Sequence, residues 1–558
     1  MRLRAASATL FAACLLGAAA SAEPDPGQHP TLTIGIAQFP SSLHPDIEPE
    51  VVRSYAMGFA IRPITAFDAD WQNTCLLCAE LPTLENGLAK RETRSDGTQG
   101  MAVTIRLKPG LAWGDGQPVT ARDIAFTWRL GRDPASGFSN NNPWSRATGV
   151  DVVDDRTAVL HLDRVRADFA QWDQILPEHI EGPVAAGSGA PGDYINATTF
   201  NRAPVTPGLY DGPYLIAGYD SGSQIVLEPN PHWSGTKPGF RRIVLRHIDN
   251  TAALQANLLS GDVDMVAGEG IGLTIDQVLA LQKQHPDSFR YTFKPSLAYE
   301  HIDLKAENPL LADVRVRRAL LMAIDRQTMV DRLFHGTQPV AATWVNPLSP
   351  NYDPSVPVVK FDPAGAKALL RQAGWTPGED GICRNAAGGR LSFEFSTTAG
   401  NRLRELQQQV LQSNLKNVCV EVTIRNEPAR TLFGETLKKR VFTGLVMYAW
   451  SSTVTETPLR TLGGSQIPAA ANNYGGSNYP GFRDATMDAD IAAAEGELDP
   501  VGRKRIWADM QRIYAEQLPV LPLFFRSEAH VTPTWLHGYA PTGHADPGTD
   551  WAEHWHAE

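Results

Sequence analysis

The chain has 558 residues, with 50 lysines and arginines against 61 aspartates and glutamates, a formal charge of −11, and 42% hydrophobic residues. That acidity argues against a nucleic-acid partner, which needs basic surface to displace phosphate counterions. The length allows two to four domains of about 100 to 200 residues with ample core, and no internal repeat or low-complexity tract interrupts it.

Arg2 and Arg4 precede an apolar run over residues 5–20 that closes on Ala20-Ser21-Ala22, the small-residue pattern of a signal peptide cleaved after Ala22. The run is too short for a good membrane span, and no later stretch reaches 18 consecutive apolar residues. An exported, soluble, periplasmic protein is expected. Cys14 raises a lipoprotein alternative, disfavoured because Phe11-Ala12-Ala13 lack the usual leucine.

Beyond residue 22 four cysteines remain, an even number in an oxidising compartment, so two disulfides are expected. Cys75 and Cys78 form a C-x-x-C. A redox or zinc role stays open for it, but a zinc site needs two more ligands nearby, and the structural bridge is favoured. Cys383 beside a turn and Cys419 in the alternating strand 418–424 are expected to bridge neighbouring strands.

Residues 103–128 set a strand, a turn and a capped helix in one run. Val103, Ile105 and Leu107 alternate with Thr104, Arg106 and Lys108, a period of two that buries one strand face, and Pro109-Gly110 turns the chain. After Gly114-Asp115-Gly116, Thr120 is placed to cap a helix with Asp123 three residues on, where free N–H groups and the helix dipole favour a carboxylate. This run resembles the signature of the extracellular solute-binding protein family 5. Its oligopeptide- and dipeptide-binding members deliver ligands to ABC transporters.

Further blocks resemble the family in the same order. They are Leu176-Pro177-Glu178-His179, the turn Asp211-Gly212-Pro213-Tyr214, and Pro229-Asn230-Pro231-His232-Trp233, with Pro229 where the family usually has arginine. Then come a helix ending at Gly261 before a strand at Val263, and a long helix capped by Asp313 that runs past Val316, Leu320, Met329 and Leu333 to Gly336. The charges Arg317, Arg318, Asp325 and Arg326 on it are read as a solvated or ion-paired face. Asp362-Pro363 opens another helix that stops at Gly374, and Asp499-Pro500 opens one before the strand-like residues 518–525.

The resemblance implies an α/β, two-lobed periplasmic binding protein fold of type II, cluster C-like, with an extra domain inserted in the first lobe and a hinge between lobes. On that pattern residues 23–60, 200–285 and 520–558 form a discontinuous first-lobe core, 61–199 the inserted domain and 286–519 the second lobe. Ligand would lie between lobes that close over it. The implied partners are a peptide or other small-molecule ligand and a membrane permease. No cofactor is expected, and the protein is expected to be a monomer.

Residues 446–453 resemble the strand and loop that carry ligand-facing groups in peptide-binding members, which places Trp450 and Ser451 among the candidates. Many of those members have an aspartate three residues after the tryptophan that receives the peptide α-ammonium; here it is Thr453. A charge-assisted hydrogen bond is worth about 1.5 to 3 kcal/mol, so a free-amino peptide binds more weakly unless another acid substitutes, and Glu456 is the nearest. Ser41, Ser42 and His44 follow the first strand, where family members bring a loop to the cleft. Trp344, Asn472 and Asn473 are further candidates. A peptide or peptide-like ligand is expected, with an opine, sugar, metal chelate, or heme or nickel species as the alternative.

An enzyme or metal-storage protein is the rival from another class. The chain has no G-x-S-x-G, S-x-x-K, H-E-x-x-H or G-x-x-x-x-G-K-[ST] motif. No catalytic or metal-ligating residue is therefore assigned. His544, His554 and His556 are read as part of a solvated tail rather than as ligands.

Overall fold

The computed structural model describes residues 29–47, 50–138, 143–190, 192–268 and 270–558. The expected signal peptide, its cleavage site and Cys14 lie outside them.

A ten-stranded mixed sheet runs through the molecule in the order Glu421–Ile424, Ser392–Ser396, Leu445–Ser451, Phe289–Leu304, Val520–Pro533, Met265–Val266, Thr31–Ile36, Arg242–His247, Gln224–Pro229, Tyr214–Asp220. Three of these matter below: β1 (Phe289–Leu304), β2 (Leu445–Ser451) and β3 (Val520–Pro533). β1 and β3 are long antiparallel partners whose register shifts between Pro295 and Tyr299. On one side of that shift Ile302, Leu304, Leu521, Leu523 and Phe524 join a core with Leu320, Phe393 and Leu411. On the other, Val531 packs with Leu254, Leu258 and Leu281, against Tyr291 and Phe293. A third core, around Ile34, Phe59, Tyr214, Leu245 and Trp555, lies under the strands from Thr31–Ile36 outward. These separate cores, linked by two continuous strands, make the fold two-lobed. A four-stranded antiparallel sheet over residues 89–162 carries its own core with Val103, Ile105, Trp113 and Trp144.

The predicted punctuation reappears as geometry. Helix α1 (Ala121–Arg132) begins after Thr120, whose side chain accepts from the chain ahead while Asp123 Oδ2 accepts the Thr120 N–H at 2.7 Å. Gly261 and Gly374 follow their helices at φ 82° and 86°, a left-handed conformation open to glycine at little cost.

The helix expected to run unbroken from Asp313 to Gly336 is two. α2 (Val314–Ala323) stops at Ile324, and Asp325 then caps α3 (Arg326–Phe334) by accepting from Thr328 N–H at 3.0 Å. The charges there are not a solvated face. Arg326, 3% exposed, donates to the Ala341, Pro522 and Val359 carbonyls. Arg317 and Arg318 donate to Gln517 and Ala515 carbonyls at the end of helix α4 (Pro500–Gln517), where free carbonyls and the helix dipole favour cations.

Both expected disulfides are formed, Cys75–Cys78 and Cys383–Cys419. Cys419 precedes its strand rather than lying in it, at φ 64°, and its carbonyl accepts the Cys383 N–H at 2.7 Å. The C-terminal histidines are not on a solvated tail. Residues 548–554 form a 3₁₀ helix, Trp555 is fully buried, and His544 bonds the Asp68 carbonyl at 2.9 Å. No helix among the described residues is long and apolar enough to cross a membrane.

Candidate ligand-binding site

β1 and β2 pair antiparallel so that Tyr299 faces Trp450 and His301 faces Tyr448. Alternate residues of a strand share a face. Tyr299, His301 and Asp303 therefore line one side of β1, with Tyr448, Trp450 and, past the strand end, Ser452 beside them. Together with Trp344, Tyr514, the segment around 456–462 and Ser477 they line a cavity that is partly open to solvent. The opposite face of β1 sends Ile302 and Leu304 into the core and holds Glu300 between Arg404 and Arg526.

The cavity floor is an aromatic and hydrogen-bonded unit. The Tyr448 hydroxyl donates to Asp303 Oδ2 at 2.7 Å, and His301 Nε2 faces Asp303 Oδ1 at 3.3 Å. His301 Nδ1 lies 3.1 Å from the Tyr299 carbonyl, and the Tyr299 and Tyr514 hydroxyls meet at 2.6 Å. The Tyr299 and His301 rings stack at 5.1 Å, and Tyr448 meets His301 edge-on at 4.5 Å. Burial pushes the Tyr299, Tyr448 and Tyr514 phenols above their ordinary range, so these hydroxyls stay neutral.

The mouth is more open. Trp450, Ser452 and Glu456 are half-buried, and the exposed Arg460 places its guanidinium 5.3 Å from the Trp450 ring centroid. Glu456 Oε2 accepts the Thr453 N–H at 3.2 Å. Burial raises the Glu456 carboxyl, against the opposing pull of that bond and of Arg460. The loop after β2 also meets residues far from it in the chain. Thr455 and Gln171 exchange side-chain bonds at 2.9 and 3.2 Å, and Val454 packs on Trp71 and Leu297.

Of the residues singled out from the sequence, Trp344, Trp450 and Glu456 line this cavity. Ser451 and Thr453 are exposed and off its wall. Ser42 donates to Asn201, while His44 is buried against Tyr194 at 3.2 Å and accepts the Asp46 N–H. Ser41, exposed, donates its N–H to Glu50. Asn472 closes a turn by accepting from Ala469 N–H, and Asn473 follows it, exposed, at φ 52°.

Sequence reasoning missed Tyr299, His301, Asp303 and Tyr448. The usable signal was a polar residue at every second position of a strand otherwise bound for the core. It also missed an acidic pair, Asp173 and Asp546, beside residues 64–67. Solvent reaches Asp173, yet desolvation by the surrounding protein, reinforced by Asp546, raises its carboxyl to about 6. Asp546 accepts the Phe67 N–H at 2.8 Å, and burial raises it likewise to about 6. Among the described residues no group of three or more His, Cys, Asp or Glu side chains is arranged to hold a metal ion.

The molecule is a two-lobed sheet protein with an aromatic cavity beside the loop that meets Gln171 and Trp71. Residues 83–466 match the bacterial extracellular solute-binding proteins, family 5, middle region, and the chain belongs to that family. It is 26% identical over 466 residues to oligopeptide-binding protein AppA of Bacillus subtilis, spanning 81% of this chain and 80% of that protein. The oligopeptide-binding protein of Thermus thermophilus, solved with a pentapeptide, matches at 30% identity and TM-score 0.66, over 96% of this chain and 97% of that one. NikA of Brucella suis, solved with Fe(III)-EDTA, shares the fold at 18% identity and TM-score 0.73, over 95% of this chain and all of that one. The family is one of extracellular solute-binding components of transport systems, not of enzymes.

Proposed function

We propose that this protein captures a peptide or peptide-like ligand at the Trp450 cavity and delivers it to an ABC permease. The observation that carries the reading is the position of Glu456. It lines the cavity mouth on the loop from Thr453, so it supplies the carboxylate for a ligand ammonium that Thr453 lacks. The likeness to the peptide-bound receptor of Thermus thermophilus supports the ligand class.

The same reading includes a periplasmic monomer cleaved after Ala22 and carrying no lipid. Its lobes comprise residues 23–60, 200–285 and 520–558 with the insertion 61–199, and residues 286–519. The separate cores on either side of the register shift support two lobes but move the crossings into the strands: Phe289, Tyr291 and Phe293 pack with the first lobe, and Leu521, Leu523 and Phe524 with the second. Ligand bound to one lobe and enclosed by both would draw an open–closed population toward the closed form.

A second reading rests on Arg460, whose guanidinium stacks on Trp450 with no hydrogen-bond partner among the described residues. It suits a ligand carboxylate, and a carboxylate-rich metal chelate offers one as readily as a peptide. Native mass spectrometry of protein taken from its own compartment, followed by denaturing release and identification of the bound molecule, separates the two. A free-amino peptide is expected; a non-peptide carboxylate ligand replaces the first reading with the second.

A further inference from the structure

The cavity separates its charges by burial, with Asp303 buried and Arg460 exposed. Its deep wall carries one acid, Asp303, 1% exposed, and both carboxylate oxygens already face partners, Tyr448 and His301. Around it stand rings: Tyr299, Tyr448 and Tyr514, all at least 94% buried, with Trp344 and Trp450 nearer the opening. A cation entering that far loses its water and meets no open carboxylate, and an anion meets no open donor pair. A flat uncharged group meets ring faces and edges, which is the favourable case. The remaining charges, Glu456 and Arg460, sit close in sequence at the mouth beside Trp450, with Glu456 Oε2 bonded to the Thr453 N–H and the Arg460 guanidinium without a hydrogen-bond partner among the described residues.

We propose that this cavity is a side-chain pocket selecting a neutral aromatic group, with Glu456 and Arg460 holding the ammonium and carboxylate end of the same ligand at its mouth. The inference rests on the reading of the cavity as the ligand site and adds the chemical class of what enters it. It makes the preferred ligand a short aromatic peptide or aromatic amino acid rather than a peptide of any sequence.

Two sets of probes test it. In ligand-observed NMR, p-cresol is expected to show strong saturation transfer from the wild-type protein and n-butylammonium, which can reach only Glu456 at the mouth, a weaker one. The p-cresol signal is expected to vanish in Thr461→Trp and in Ser477→Trp, which fill the cavity from its mouth and its side, with thermal melts confirming that each variant is folded. In calorimetry, Phe-Ala is expected to bind about tenfold or more tighter than Gly-Ala, the scale set by burying one aromatic side chain, with Lys-Ala and Glu-Ala no tighter than Gly-Ala. Should a tryptophan variant unfold, the wild-type contrast between p-cresol and n-butylammonium still decides.

Absence of p-cresol binding, its persistence in both folded variants, or an equal n-butylammonium signal overturns the proposal. If p-cresol behaves as expected and none of the dipeptides binds, the aromatic pocket stands and the peptide reading falls. If all four dipeptides bind alike, the peptide reading stands and the aromatic pocket falls.

Discussion

The Tyr448 hydroxyl and the Asp303 carboxylate, from neighbouring strands and 145 positions apart, meet at 2.7 Å in the floor of the cavity. Removing the donor while keeping the ring, by Tyr448→Phe, leaves a buried carboxylate oxygen without its partner. The expected cost is about 1–3 kcal/mol of stability, read from denaturant unfolding. The variant also opens Asp303 to the cavity, so Lys-Ala should gain affinity relative to Phe-Ala. Unchanged stability together with unchanged preference would show that this bond does not shape the floor.

Glu300 lies on the other face of the same strand, with Arg404 Nε at 2.7 Å and Arg526 Nε at 2.9 Å. Burial opposes its charge, but Arg526 and Arg404 prevail and hold the carboxyl below its ordinary range. Glu300→Gln leaves the buried Arg404 uncompensated, and a loss of about 3–5 kcal/mol is expected in thermal or denaturant unfolding. A loss below about 1 kcal/mol would mean that solvent reaches these groups.

The two disulfides should differ in worth because they close loops of different length. Cys383–Cys419 spans 36 positions and Cys75–Cys78 spans 3. Chain-entropy reasoning gives about 4 kcal/mol for the first and less than half that for the second. Double alanine replacement of each pair, followed by unfolding under non-reducing conditions, checks the ranking; equal losses would count against the loop-length argument.

Asp211, 2% exposed, accepts the Arg62 N–H at 2.9 Å, and burial raises its carboxyl to about 7 against the pull of Arg62. The folded protein thus holds this proton to about pH 7, whereas the unfolded chain releases it near 4, so the group lowers stability as pH rises through that window. Asp211→Asn keeps an acceptor for Arg62 and removes the titration. Its stability relative to wild type should climb from pH 4 to pH 7 and then level off, with a ceiling of about 4 kcal/mol at 1.36 kcal/mol per pKa unit. Parallel stability curves across that range would show that Asp211 does not titrate there.

Local chemistry was readable in the chain where its cause was local. Thr120 with Asp123, Asp362 with Pro363, and Gly261 and Gly374 mark helix ends because capping and left-handed turns act over a few residues. The break at Ile324 escaped because the apolar stripe continues through it, while the stop comes from Asp325 capping a new helix. Most of the cavity escaped for the opposite reason. Tyr299 and His301 gain their meaning from Trp450 and Tyr448, about 150 positions later, and no local pattern announces that pairing. Trp450 and Glu456 were legible only through the resemblance of their strand and loop to those of peptide-binding relatives.

The most direct test of the account is calorimetric titration of Phe-Ala and N-acetyl-Phe-Ala into the wild-type protein and Glu456→Gln. Glu456 as the ammonium acceptor predicts that acetylation weakens wild-type binding by about tenfold to a hundredfold, and that the two ligands bind alike to the variant. Equal binding of both to the wild type, or no binding of either, would contradict it.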